Sequence, residues 1–148
     1  MTNIEELMAR QELKALVDNY ATESDRSNQD YYVKVFTEDC HVRVYFNNEL
    51  GMDLKNVKDL IEAYKGFGAA KESFHMNGQQ IVNFQDDEHA TGICYALAHL
   101  VNEKDGEDVL TVHGVRYFDK YVKVDGAWRI AEREQYFVFS DARTINKA

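Results

Sequence analysis

The chain of 148 residues contains no proline, although average usage would give about seven. Because proline interrupts helices and sheet ladders, its absence fits long, uninterrupted elements. Only two cysteines occur, Cys40 and Cys94, and they stand far apart without CxxC spacing. We therefore expect two reduced thiols and no disulfide framework.

Long apolar runs and clusters of basic residues are also missing. No run approaches the length of a membrane span, and the first residues lack the basic start and apolar centre of a signal peptide. We therefore expect no membrane contact and a cytoplasmic location. Lys and Arg number 17 against 26 Asp and Glu, which gives a net charge of −9. Since such a chain repels phosphate backbones, we expect no nucleic-acid partner.

The sequence lacks the usual motifs for cofactors and metals. Its five histidines show no HxH or HExxH spacing, so we expect no metal site. The chain has no GxGxxG sequence, phosphate-binding loop or GxSxG elbow. The sequence therefore gives no indication of a nucleotide cofactor or of serine hydrolysis. We expect a protein that works without a cofactor.

The clearest positive feature is a β-hairpin near the C-terminus. Residues 109–124 and 127–139 are rich in Val, Tyr, Phe and Ile, and they flank Asp125-Gly126, which is typical of a type I′ turn. Both strands exceed ten residues, whereas strands usually have five or six. Long strands coil, and a coiled sheet presents a concave face that can hold a ligand.

Helical patterns come first along the chain. The spacing predicts one helix capped by Asn3 and Glu6, a short helix over 27–36, and a third from Asn56 to Gly66 or Gly68. Strands are predicted over 40–46, 73–84, 89–102, 109–124 and 127–139, with a turn over 47–51. Helices followed by one antiparallel sheet indicate an α+β fold, and we expect one domain over residues 1–148.

Several landmarks of the chain resemble the SnoaL-like branch of the nuclear-transport-factor-two-like superfamily. They are Tyr20 and Asp25 at the end of the first helix, Phe36-Thr37-Glu38-Asp39, His75, Gly92, Tyr117-x-Asp119-x-Tyr121 and Asp125-Gly126-x-Trp128-Arg129-Ile130. The resemblance covers nearly the whole chain. It implies a cone-shaped barrel in which N-terminal helices pack on a strongly curved antiparallel sheet and leave a pocket.

Within this branch the chain looks most similar to dehydratases of the scytalone and bile-acid types. That resemblance implies Asp25 and His75 as a catalytic pair, with Tyr20 as a further catalytic residue. A carboxylate that accepts a hydrogen bond from one ring nitrogen fixes the tautomer and raises the basicity of the other. Such a base removes a proton α to a carbonyl and returns it to a departing hydroxyl. From the residues alone, Asp25 as a turn cap and His75 as an ordinary sheet histidine remain the alternative.

Further pocket candidates lie on the predicted strands. Period-two alternation places His113, Val115 and Tyr117 on one face, which members of this family turn inward. The position where the dehydratases carry a strand tyrosine falls on Val44, or on Tyr45 if the alignment shifts by one residue. Their second polar position falls near Ala98 to Leu100. His99 fills that position only if the alignment is shifted by one residue. Such a shift moves a strand side chain to the opposite face of the sheet.

The resemblance implies three candidate functions. The first is a cofactor-independent lyase or isomerase with dehydratase-like chemistry on a cyclic, fairly apolar carbonyl compound. The second is a noncatalytic ligand-binding or assembly domain, which the valine at position 44 favours, and the third is the small subunit of an oxygenase. In each case we expect a small-molecule ligand. We also expect a homodimer or homotrimer formed through apolar residues on the outer face, with Ile93, Val112, Phe118 and Val122 as candidates.

Overall fold

The computed structural model describes residues 1–67 and 70–146. In these two ranges, three helices and one sheet of six strands make up the α+β fold. In chain order the elements are α1 (Asn3–Asp25), a 3₁₀ helix (Gln29–Lys34), β1 (Phe36–Phe46), β2 (Glu49–Leu54), α2 (Val57–Phe67), β3 (Glu72–Phe84), β4 (His89–Lys104), β5 (Glu107–Val124) and β6 (Ala127–Ile145). No helix in these two ranges is long and apolar enough to cross a membrane.

The sheet has the order β2-β1-β6-β5-β4-β3 and is mixed. Strands β1 and β6 run parallel, whereas the other neighbouring pairs are antiparallel. The expectation of a fully antiparallel sheet is therefore wrong, because β1 and β6 are parallel. No tight turn joins β1 to β6, so hairpin geometry does not set their relative direction. Among the described residues β2 and β3 do not pair, and the curled sheet stays open instead of closing into a barrel.

Several element boundaries differ from the sequence prediction. The cap of α1 is a capping box between Thr2 and Glu5 instead of Asn3 and Glu6. The predicted turn over 47–51 is shorter, because Asn47 and Asn48 alone form it, both with positive φ. The following residues form β2, which the sequence did not predict.

The helix α2 begins as predicted, since the Asp59 backbone N–H donates to Asn56 Oδ1 at 2.8 Å. It is described as far as Phe67, and the predicted alternative end at Gly68 lies outside the described residues. The Asp125-Gly126 turn joins β5 to β6 as predicted, with φ angles of 50° and 80°. Leu13 and Val17 of α1 are buried together with Trp128 of β6 in the core.

An irregularity in β6 determines which of its side chains face the core. Lys120 pairs with Glu132, but Tyr121 pairs with Ile130, so Ala131 is an extra residue in the ladder. The alternation shifts by one residue at this bulge. As a result Arg133 faces inward, although simple alternation from the buried Ile130 would turn it outward.

Arg133 forms a fully buried ion pair with Asp119 of β5. Arg133 Nε and Nη2 donate to the two carboxylate oxygens at 2.7 and 2.9 Å. The guanidinium also lies 4.0 Å from the ring centroid of Tyr117 and 4.8 Å from that of Tyr20. The ion pair therefore fixes two tyrosine rings through cation–π contacts.

The burial of Trp128 gives a first prediction. Only 3% of this residue is exposed, and its ring meets Phe84 edge-on at 6.0 Å. We expect Trp128→Ala to lower the free energy of unfolding by about 3–5 kcal/mol, because a large cavity replaces the indole. Urea denaturation measures the change, with the exposed Val33→Ala as control. A loss no larger than that of the control would contradict the packing described here.

The ion pair gives a second prediction. We expect Asp119→Asn to destabilise the fold by about 3–5 kcal/mol, because it leaves the Arg133 charge buried without its counter-charge. The double replacement Asp119→Leu and Arg133→Met should be less damaging than Asp119→Asn alone, since it removes both charges. Denaturation of the two variants measures this order, and the reverse order would contradict it.

The outer face of the sheet carries exposed apolar side chains. They are Phe74, Met76, Ile81, Leu97, Phe118, Val138 and Phe139. Phe118 is thus exposed as expected, whereas Ile93, Val112 and Val122 are half-buried. Exposed apolar patches of this kind commonly mark association sites.

A third prediction concerns assembly through this outer face. We expect a homodimer or homotrimer by light scattering at micromolar concentration. Replacing Leu97 and Phe118 by Ser should lower the mass, because both changes remove apolar contact area, whereas Val33→Ser on the 3₁₀ helix should not. A wild-type protein that is monomeric under these conditions would refute the expectation.

Candidate active site

A cavity of about 320 Å³ opens between the helices and the inner face of the sheet. Its volume lies at the lower end of the range for small-molecule sites, about 300–1,000 Å³. Seven of the eight residues proposed from the sequence line it: Tyr20, Val44, His75, Ala98, His113, Val115 and Tyr117. The eighth, Asp25, contacts the cavity residue His75.

Asp25 and His75 form a direct hydrogen bond, as the resemblance implied. Asp25 Oδ1 lies 2.6 Å from His75 Nδ1. The same carboxylate accepts the His75 backbone N–H at 2.9 Å and the Ser73 hydroxyl at 2.9 Å. Because Nδ1 is engaged by the carboxylate, Nε2 is the ring nitrogen left for a ligand in the cavity.

The local structure explains why these two residues meet. Asp25 is the last residue of α1, and His75 lies near the start of β3, against which α1 packs. Alternation along β3 turns Ser73 and His75 inward and leaves Phe74 and Met76 exposed on the outer face. The end of α1 and the inward face of β3 therefore present their polar groups to each other.

Four tyrosines supply most of the hydroxyl groups of the cavity: Tyr20, Tyr32, Tyr64 and Tyr117. Burial raises the pKa of Tyr20 and raises the pKa values of the other three well above their usual range. All four hydroxyls are therefore neutral near pH 7 and can donate hydrogen bonds.

Two of these hydroxyls are hydrogen-bonded to other side chains of the cavity. The Tyr32 hydroxyl lies 2.6 Å from Ser24 Oγ, and the Tyr64 hydroxyl donates to Gln135 Oε1 at 2.7 Å. The sequence analysis did not identify Tyr32 and Tyr64 as cavity residues. Their helical spacing was the available signal, but it does not distinguish a core side chain from a cavity wall.

The histidines on β4 and β5 differ in their exposure to the cavity. His113 lines it, and His113 Nδ1 lies 2.5 Å from the Ser140 hydroxyl. Burial and the nearby His75 lower the pKa of His113. His99 instead faces the outer side, where its Nδ1 lies 3.0 Å from the Phe74 carbonyl oxygen. Ala98 is thus the β4 residue at the cavity.

The sequence did not predict several other cavity residues. Gln135 and Phe137 reach the cavity because the bulge at Ala131 reverses the alternation of β6. Met52 belongs to β2, the strand that was not predicted. Each was missed because its position depends on a bulge or a short turn, which periodicity does not reveal.

Other reactive groups lie apart from this cavity. The thiols of Cys40 and Cys94 are free and buried, and burial raises the pKa of both to about 11. They are therefore protonated near neutral pH and poor nucleophiles. Within residues 1–67 and 70–146, no three His, Cys, Asp or Glu side chains are arranged to hold a metal ion.

Solved structures share this fold at low sequence identity. A protein of Novosphingobium aromaticivorans described as a scytalone dehydratase is 22% identical with a TM-score of 0.83, over 100% of this chain and 95% of its own. The hexachlorocyclohexane dehydrochlorinase LinA-type3 of Novosphingobium barchaimii is 13% identical with a TM-score of 0.77, over 99% and 97%.

A third structure, described as an aromatic ring hydroxylase from Novosphingobium aromaticivorans, is 18% identical with a TM-score of 0.78, over 94% of both chains. At such identities these likenesses show the fold alone. A search of proteins with curated descriptions finds no significant match.

The sequence profile of the SnoaL-like domain matches residues 5–134, which is most of the chain. The match includes most of α1, the first five strands and the β6 segment that carries Trp128 and Arg133. The curled mixed sheet, with a cavity under its N-terminal helix, agrees with this assignment. The chain belongs to the SnoaL-like domain family.

Proposed function

We propose that this protein is a cofactor-independent lyase or isomerase in which His75 is the general acid and base. Asp25 orients the imidazole. The observation that carries the proposal is the 2.6 Å hydrogen bond between Asp25 and His75 at the wall of a largely apolar cavity. A carboxylate bonded to Nδ1 favours the tautomer with an unprotonated Nε2, which is the form that accepts a proton.

The first chemical step is removal of a proton α to a carbonyl. Nε2 of His75 takes this proton, and the electrons of the C–H bond form the carbon–carbon double bond of an enolate. The negative charge moves to the carbonyl oxygen. The hydroxyls of Tyr20 and Tyr117, which burial keeps neutral, are the proposed donors to that oxygen.

The second step removes a group from the β carbon or moves the double bond. In an elimination the enolate collapses, the C–O bond to the β hydroxyl breaks, and the His75 imidazolium returns its proton to the departing oxygen. Water leaves, and an unsaturated ketone remains. In an isomerisation the substrate is a β,γ-unsaturated ketone, and loss of its α proton gives a dienolate. The imidazolium returns the proton to the γ carbon of this dienolate, and the double bond moves to the α,β position. Asp25 stabilises the imidazolium between the two steps.

The cavity favours a compact, cyclic and fairly apolar carbonyl compound. Its volume is about 320 Å³, and valine, alanine and aromatic side chains form much of its wall. None of the described residues that line it is an arginine or a lysine, which favours an uncharged substrate.

The descriptions of two similar structures support the reaction class. A dehydratase removes water, and a dehydrochlorinase removes hydrogen chloride. Both reactions are eliminations that begin or end with proton transfer to a base. The proposal for this chain rests on its own Asp25–His75 pair and takes from these proteins only the class of reaction.

A noncatalytic ligand-binding domain is the second candidate. Val44 and Ala98 put apolar side chains on the cavity wall at the two positions where the resemblance implied polar catalytic groups. A cavity of this kind can bind an apolar ligand through burial alone. Binding without turnover, unaffected by changes at His75, would favour this candidate.

The catalytic pair gives a direct prediction for turnover. A panel of one- and two-ring 3-hydroxyketones serves as substrates, and loss of water is followed by the ultraviolet absorbance of the conjugated product. We expect Asp25→Asn to reduce turnover by roughly 10³–10⁴-fold, because it removes the charge that stabilises the imidazolium. His75→Gln should be at least as damaging, and the double variant should be little worse than the more damaging single one.

His99→Gln is the matched control, because His99 lies on the neighbouring strand but faces away from the cavity. It should retain wild-type turnover. Thermal unfolding of each variant separates loss of chemistry from loss of fold. Turnover that survives His75→Gln in a folded protein would refute the proposed role of the pair.

A further inference from the structure

A second histidine shares the cavity with His75, on a different strand. His113 of β5 is the direct cross-strand partner of Ala98 on β4, and both residues line the cavity. Side chains at such paired positions start about 4.5–5.5 Å apart. Because alanine is small, the imidazole of His113 has free space beside it on the cavity wall.

The contacts of His113 leave one ring nitrogen for a ligand. Nδ1 lies 2.5 Å from the hydroxyl of Ser140, which is the cross-strand partner of His113 on β6. Ser140 lies opposite His113 because Val138 is an extra residue in the ladder between Phe137 and Phe139. When the hydroxyl donates to Nδ1, the ring carries its proton on Nε2 and can donate it into the cavity.

The two histidines have different partners. His75 is bonded to a carboxylate, whereas His113 is bonded to a neutral hydroxyl and meets the Phe137 ring edge-on at 5.1 Å. Burial and the proximity of His75 lower the pKa of His113, so it stays uncharged near neutral pH. An imidazole that its surroundings keep neutral can act as an electrophile towards a carbonyl group.

We propose that His113 is a second catalytic residue, whose neutral imidazole donates its Nε2–H to the carbonyl oxygen while His75 removes the α proton. This inference rests on the proposed function. A neutral donor suits this cavity because His75 itself becomes a cation in the first step. A second cation at His113 would repel that imidazolium, whereas a neutral N–H stabilises the enolate oxygen without this repulsion.

The inference is tested without turnover by binding p-nitrophenol, a compact ring whose phenolate oxygen resembles the enolate oxygen. Its visible absorbance reports both binding and ionisation. We expect His113→Leu, which keeps the bulk but loses the donor, to weaken binding about tenfold or more. His113→Gln retains an N–H donor and should bind within about threefold of wild type.

His99→Leu on the outer face is the matched control and should bind like wild type. In ¹⁵N NMR spectra of the wild type, His113 should carry its proton on Nε2, and the resonance of that nitrogen should shift when the phenol binds. Wild-type affinity in a folded His113→Leu protein would overturn the inference. Failure of wild type to bind the phenol at millimolar concentration would also overturn it.

The outcomes separate this inference from the proposed function. If dehydration requires His75 but is unchanged by His113→Leu, only the inference about His113 is contradicted. If phenol binding depends on His113 but the protein dehydrates none of the ketones in the panel, only the proposed reaction is contradicted.

Discussion

The buried ion pair between Arg133 and Asp119 is the interaction on which the cavity depends. It joins β5 to β6 next to the bulge at Ala131, and its guanidinium lies against the rings of Tyr20 and Tyr117. A buried pair of this kind adds little net stability, since desolvation offsets much of the attraction. We infer that its main contribution is to fix the register of β6, because a one-residue slip would expose Arg133 and remove Gln135 from the cavity wall.

The pair Asp25–His75 is fixed by ordinary backbone geometry. The carboxylate at the end of α1 accepts the His75 backbone N–H and the Ser73 hydroxyl besides the imidazole. These extra donors hold the carboxylate in place, so the orientation of the imidazole does not depend on a bound ligand. The side chains of His75 and Asp25 are only 16% and 24% exposed, which strengthens the electrostatic interaction between them.

Local patterns explain which parts of this structure could be predicted from the sequence. The Asp125-Gly126 hairpin and the buried stripe of α1 follow from turn chemistry and helical spacing, and family landmarks pointed to Asp25 and His75. The parallel pairing of β1 with β6 could not be predicted, since no turn encodes it. The inward positions of Arg133 and Gln135 depend on a single extra residue at Ala131, which alternation cannot reveal.

The tautomer of His75 tests the central claim most directly, and ¹⁵N NMR of histidine-labelled protein measures it near neutral pH. The account predicts a proton on Nδ1, bonded to Asp25, and an unprotonated Nε2 at the cavity. In the Asp25→Ala variant, the proton should move to Nε2 in a substantial share of molecules, because the carboxylate no longer holds it on Nδ1. A wild-type ring that carries its proton on Nε2 while Nδ1 is unprotonated would contradict the account, since no base would then face the ligand.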